Sequence, residues 1–536
     1  MSPTELIANH PAAAPSPPGA PRPWWETRWF VAAMILLAFV PLLYPQVPPL
    51  VDLPGHIGRY RIELDLASSP DLQRYFSFDW RLIGNLGVDL LVVPLARLVG
   101  LELAVKLVAM SIPPLTVAGF LWVAREVHHR LPPTVAFALP FAFSAPYLYG
   151  FVNYTLSMAL AFLAFGLWLR LGRLERLRLR AILFVPISFL IYICHTFGWG
   201  TLGLLAFSAE AVRQHDKGAG WWRSALLAAM QAAVMAGPIL LMFGWRDSIS
   251  QGMTADWFNW RHKALWLVTV LRDRWNALDA AMVALLVLVF WETIRRRELT
   301  FSRNLLFSAL VLLAFFLVIP RIVFGSAFAD MRLLPYCLAT ALLGIRFREE
   351  TDLDAARKLA AVATAFFLLK VGATTASMAI AADNQSARLK ALDHVPRGAA
   401  MVNIVGDGCG MPWPLPRNAH IGGLAIARRH AFSNDQWIVE GVNSLSVQFR
   451  GGGRFRADPS QMIRPNHCGN REHWAVDKAL SAVPRATIDY VWTVDLPPHD
   501  PRTLAGYVPI WTGEGSTLYA AERLGRAQSG RRSTQP

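Results

Sequence analysis

The sequence predicts an all-α polytopic membrane domain, about 11–13 transmembrane helices, followed by a smaller α/β soluble domain. Three observations lead there. Of the 536 residues, 54% are hydrophobic and only 17% charged, against about 25% charged in ordinary soluble chains. Apolar runs recur from residue 29 to about 383, and the composition turns polar from 384 to 536. This composition excludes a disordered chain or a small disulfide scaffold.

The chain opens with a Pro- and Ala-rich stretch, 1–28, that reads as a disordered tail. An apolar run over 29–44 follows, and Pro-Gln-Val-Pro-Pro stands where a cleavage site would be, so the run reads as an uncleaved anchor. A polar first outer loop, 46–83, comes next. Further apolar segments lie at 84–99, 101–124, 132–149, 152–170, 181–196, 198–212, 224–244, 277–294, 304–323, 332–345 and 359–382. The soluble part shows β-rich runs at 400–405, 421–426, 444–449 and 489–494, with a helical stretch at 472–482.

Lys and Arg number 52 against 37 Asp and Glu, a net charge of +15. Much of the excess falls in blocks around Arg170–Arg180, Arg213–Arg223, Arg295–Arg303 and Arg346–Lys358, two apolar segments apart. All four fit one face, which the positive-inside rule makes cytoplasmic, so the excess reports orientation and not a nucleic-acid partner. Parity then requires either that the N-terminal tail lie outside or that one early segment not cross fully, and the second is favoured. Segment 84–99 is short and carries Asp89 and Pro94, as a broken or re-entrant element does. The first loop and the soluble domain both come out on the outer, periplasmic side.

The densest chemistry lies in the first loop, Val51-Asp52-Leu53-Pro54-Gly55-His56-Ile57-Gly58-Arg59. Pro-Gly turns the chain between Asp52 and His56, so that carboxylate and imidazole converge. Such a pair serves as general base toward a hydroxyl, or as ligands to a divalent metal. The plainer alternative is that Asp52 caps the helix starting near Pro54. The stretch 57–66 fits a short interfacial helix, and Tyr75, Phe76, Phe78 and Trp80 fit membrane-surface anchors.

An uncleaved first helix, an acid early in a long outer loop, many further helices and an outer soluble domain together resemble the GT-C superfamily of integral-membrane glycosyltransferases. The resemblance implies transfer of a sugar from a polyprenyl-phosphate donor to an acceptor at the periplasmic face of the bacterial inner membrane. It matches Asp52 to the catalytic acid, with His56 orienting it or joining it on a metal. The Asp-Glu dipeptide of several branches is absent, since Leu53 follows Asp52.

A lipid-phosphate substrate calls for basic and polar groups at outer helix ends. The candidates are Arg59, Asn153, His195, Asp330 and Arg332, with Arg261, Lys263 and Arg272 in a basic, Trp-rich loop over 245–275 that also holds Arg246. Each has a structural alternative: a cap for Asn153, packing for His195, an ion pair between Asp330 and Arg332, an ordinary interfacial loop for 245–275. A transporter or flippase of a lipid-linked precursor is the competing function, with Asp89, Asn153 and His195 along its path. Cys409 and Cys468 fit either a pair, if this part faces an oxidising compartment, or two unrelated thiols. No Walker loop, dinucleotide fingerprint or Cys-x-x-Cys spacing occurs.

Overall fold

The computed structural model describes residues 22–244, 253–348, 353–410, 412–438, 443–456 and 458–524. Contacts divide the chain into two compact units. The helical unit takes the chain up to Tyr44, Leu82–Val88 and Val108–Ser377; the mixed unit takes Pro45–Arg81, Asp89–Leu107 and the chain from Met378 on.

In the helical unit the long helices are Val152–Arg173, Leu177–Cys194, Thr196–Asp216 and Asn276–Arg295, with Arg303–Val318 and Ala329–Leu343 shorter. They form because uninterrupted apolar residues satisfy their backbone groups internally. Arg170 and Arg173 close the first of these at its C-terminal turn, where cations suit the helix dipole. Five helices among the described residues are long and apolar enough to cross a membrane: Leu101–His128, Val152–Arg173, Leu177–Cys194, Asn276–Arg295 and the span Leu353–His394.

The segmentation read from sequence is corrected in several places. The stretch 132–149 is no single helix but 3-10 turns at Val135–Phe137 and Leu139–Phe143 and one α-turn at Ala145–Leu148. Pro132, Pro133, Pro140 and Pro146 remove the donors a continuous helix needs. The segment 84–99, by contrast, was expected to be too short to cross, and its helix Gly87–Val99 has 13 residues against the roughly 20 a crossing requires. Most of the expected N-terminal tail, 1–21, lies outside the described residues, but Trp24–Glu26 form a 3-10 turn with Trp25 buried.

The mixed unit is built on a six-stranded sheet in the order Trp474–Ala475, Met462–Arg464, Met401–Gly406, Tyr490–Val494, Ser516–Ala521, Tyr507–Gly513. The first four strands run parallel and the last two antiparallel. The first loop folds into this unit. Strand Phe76–Phe78 pairs antiparallel with Leu445–Val447, and Tyr75 and Phe76 enter the core with Val402, Ile404, Phe432 and Val491. These two aromatics are therefore core residues and not membrane anchors, whereas Trp80 stays exposed. The apolar stretch 421–426 is also not a strand: it belongs to the helix Gly423–Arg429.

Candidate functional site

The site of the mixed unit is assembled from two helix starts. Pro54, at the first turn, sets the backbone for helix Leu53–Asp65, and Asp52 is its N-cap residue. Its side chain nevertheless makes no capping hydrogen bond, which leaves the carboxylate to other partners. Helix Gly423–Arg429 packs across this one at glycines. A Cβ on Gly58 would lie 2.8 Å from the Gly423 carbonyl oxygen, and one on Gly423 2.3 Å from that of Pro54. Only the missing side chains allow the backbones to approach this closely.

That crossing brings His420 to Asp52, with Nε2 3.8 Å from Asp52 Oδ1. Asp458 Oδ1 lies 3.5 Å from the same nitrogen, and Asp435 Oδ1 3.4 Å from Nδ1. Asp435 is wholly buried, whereas Asp52 and Asp458 each keep 18% of their side-chain surface exposed. The Trp437 ring contacts both His420 and His56, at centroid distances of 4.7 and 4.9 Å. Behind them Gln461 donates to Asp458 (2.6 Å), Gln436 to the Gly55 carbonyl (3.1 Å), and Asn434 to the Asn403 carbonyl (3.0 Å).

Burial alone would lower the His420 pKa, but Asp458, Asp435 and Asp52 outweigh it and hold it at about 9. The ring is an imidazolium at neutral pH. Burial raises the Asp435 pKa, against the pull of His420. His56 is held well below 6.5, by burial first and then by Arg59 and His420, and stays neutral. Three carboxylates thus face one cation. The arrangement can take up a proton at a carboxylate that reaches the surface, Asp52 or Asp458.

Arg59 does not reach toward a ligand. It is buried between Asp89 (2.6 Å) and Glu63 (3.1 Å). His420, Asp435, Trp437 and Asp458 were not among the sequence candidates. Their one visible signal is Ser433-Asn434-Asp435-Gln436, four consecutive polar residues that are all fully buried.

In the helical unit the candidates divide. Asn153 accepts from the Val88 amide (2.5 Å) and donates to the Asn85 carbonyl (2.9 Å), pinning the passage ahead of helix Gly87–Val99. Asp330 pairs with Lys263 (3.6 Å) and not with Arg332, and Lys263 donates to the Phe316 and Ile319 carbonyls at the end of a helix. Arg272 is buried near the Tyr149 hydroxyl (3.4 Å), and Arg261 is exposed. The inward turn of Lys263 and Arg272 corrects the expectation of a uniformly outward basic loop; Arg246 lies outside the described residues. Arg332 donates to Ser326 Oγ (2.9 Å) and lies over the Phe151 ring at 4.5 Å. His195 caps helix Thr196–Asp216 through Nδ1 and packs edge-on to Tyr154.

Among the described residues only Cys409, His467 and Cys468 cluster as metal ligands would. The two cysteines form a disulfide, so no thiolate is available there.

No family model and no curated protein matches the sequence. In fold, the chain is similar to ArnT from Cupriavidus metallidurans in the apo state. Identity is 12%, the match covers 92% of this chain and 97% of that one, and the TM-score is 0.50. The structure of ArnT bound to undecaprenyl phosphate also matches, with 9% identity, the same coverage and a TM-score of 0.48. The chain therefore has an ArnT-like fold, many apolar helices with a C-terminal sheet domain.

Proposed function

We propose that the chain is a membrane glycosyltransferase that moves a sugar from a polyprenyl-phosphate carrier to an acceptor hydroxyl at the periplasmic face of the bacterial inner membrane. The observation that carries this reading is Asp52: an N-cap residue without a capping bond, half-exposed, 3.8 Å from a protonated imidazole. An adjacent positive charge favours the ionised carboxylate, which is the form a general base needs.

In the proposed step Asp52 takes the acceptor hydroxyl proton as the acceptor oxygen bonds to the sugar's anomeric carbon. The bond from that carbon to the phosphate oxygen breaks, and its electron pair leaves with polyprenyl phosphate. His420 counters the negative charge of the cluster and keeps Asp52 anionic. His56 acts at one remove, through the Trp437 ring that it shares with His420.

The ArnT-like fold, with its many apolar helices and C-terminal sheet domain, supports a membrane setting for the reaction. The disulfide supports an oxidising, periplasmic setting, and the Arg blocks support a cytoplasmic opposite face. The test is to reconstitute the purified chain in lipid with labelled polyprenyl-phosphate sugars and a cell-envelope acceptor fraction. Acceptor labelling with release of polyprenyl phosphate is expected. Movement of intact lipid-linked sugar across the bilayer without cleavage would contradict the reading in favour of a flippase.

A further inference from the structure

At the C-terminal ends of two neighbouring strands of the mixed unit lies a group of sulfur and nitrogen donors that the reaction at Asp52 does not use. Strands Met401–Gly406 and Met462–Arg464 run parallel, with Val405 opposite Met462 and Gly406 opposite Ile463. Cys409 follows the first strand, and the 3-10 turn Asn466–Cys468 follows the second. Parallel neighbours end on the same side of a sheet, so the two connections meet there. One donor atom from each of Cys409, His467 and Cys468 lies within 4.8 Å of the other two. Cys409 and His467 are exposed and Cys468 is half-buried.

Contacts other than the disulfide hold these residues in place. Asn466 donates to Asp477 Oδ2 (2.8 Å) and accepts from the Asp477 amide (3.1 Å). A Cβ on Gly469 would lie 2.4 Å from the Ala475 nitrogen, so the backbone after Cys468 packs directly on strand Trp474–Ala475. On the Cys409 side, the Asp407 amide donates to the Ile463 carbonyl (2.7 Å). Opening the disulfide therefore leaves two thiols and an imidazole side by side.

Two features set this disulfide apart from a simple staple. It is exposed, and exposed disulfides are the ones that thiols reach and exchange. His467 Nε2 also lies 3.1 Å from Cys409 Sγ, a contact that a purely stapling bond does not need. A tetrahedral ion with bonds of about 2.3 Å to sulfur and about 2.0 Å to nitrogen sets a sulfur and a nitrogen ligand about 3.6 Å apart and two sulfurs about 3.8 Å apart. The histidine already stands near that distance, and the sulfurs need only part once the bond between them is broken.

We propose that Cys409, His467 and Cys468 form a redox-gated site for a thiolate-seeking d10 cation, with zinc the occupant that two sulfurs and one imidazole fit best. A dithiol opens the site: it gives up two electrons and two protons and closes into its own disulfide, while Cys409 and Cys468 become thiols. Zinc then binds both sulfurs and His467 Nε2, and the two thiol protons pass to solvent. Water completes the tetrahedron at the exposed fourth position. In the oxidised chain the site is closed, because a disulfide sulfur is not a thiolate. Covalent in one state and metal-bridged in the other, the link joins the segments that carry His420 and Asp458. The inference does not depend on the glycosyltransferase reading.

The experiment uses the full chain in nanodiscs, either oxidised or reduced with dithiothreitol that is then removed under nitrogen. Zinc bound per chain is measured after dialysis, and cobalt(II) serves as a spectroscopic probe. The reduced chain should take up one zinc more than the oxidised chain, and its cobalt form alone should show sulfur-to-cobalt charge-transfer absorption. Cys468→Ser should abolish both signals. His467→Gln leaves the disulfide able to form and should weaken zinc binding ~10-fold or more, at least the scale of losing a partner behind a metal ligand; it carries the test if Cys468→Ser fails to fold. Equal zinc uptake by oxidised and reduced chains, binding that neither substitution changes, or unfolding of the chain on reduction would overturn the proposal.

Discussion

Two buried cations of the mixed unit, Arg59 and His420, are held in opposite ways. Arg59 lies between Asp89 at 2.6 Å and Glu63 at 3.1 Å, all three closed off from solvent. His420 faces three carboxylates, none nearer than 3.4 Å, and two of them reach the surface. A guanidinium does not give up its proton in a protein, whereas an imidazolium does. The tight, closed group therefore holds helix Leu53–Asp65 to the segment carrying Asp89, and the loose, open one is where a proton can be exchanged. Charge near the first loop is not by itself a mark of chemistry; bond length and exposure separate the two cases.

The comparison breaks most severely if Arg59 is dispensable. Arg59→Met leaves Asp89 and Glu63 buried without their cation, and stability should fall by about 3–5 kcal/mol, read as loss of folded protein or a lower denaturation midpoint. A wild-type midpoint in Arg59→Met would place the knot among substrate-binding groups instead.

The His420 group should respond to pH where the Arg59 group does not. With a folded-state pKa of about 9 against 6.5, the His420 contribution is fully present below pH 6.5 and is lost as the pH rises through 9. The loss is on the order of 3 kcal/mol at most. His420→Gln should flatten that alkaline decline of stability, and the pH–rate profile of transfer should lose the component that follows His420. An unchanged pH–rate profile would remove His420 from the mechanism.

Smaller, and aimed at what assembles the open group, is Gly423→Ala. Its methyl would lie 2.3 Å from the Pro54 carbonyl oxygen, so the helices must separate at a cost of about 1–3 kcal/mol. Activity should fall more than stability, since Asp52 and His420 are positioned by these two helix starts.

The long helices were legible because each is an apolar run closed by charged or turn residues, as Leu101–His128 and Val152–Arg173 are. Prolines inside 132–149 were a warning that the run would break. The stretch 421–426 resembled a strand through Ile421 and Ile426, yet Gly422 and Gly423 serve a helix crossing, a long-range demand that local propensity does not express. The site divides in the same way. Asp52 stood out in the sequence as an acid close to Pro-Gly after an apolar run, and the fold sets it beside His420. His420, Asp435 and Asp458 come from the far end of the chain, and only the fold brings them to Asp52. Arg59 and Asn153 carried the right chemistry, but partners distant in sequence engage both.

The most direct measurement is sugar transfer by Asp52→Asn, reconstituted in lipid beside the wild type, with unfolding midpoints recorded for both. Asparagine keeps the size and removes the base. The account predicts a rate loss of about 100-fold or more, the usual scale of general-base catalysis, with the midpoint essentially retained. Wild-type transfer by a folded Asp52→Asn protein would contradict the assignment of Asp52 as the base.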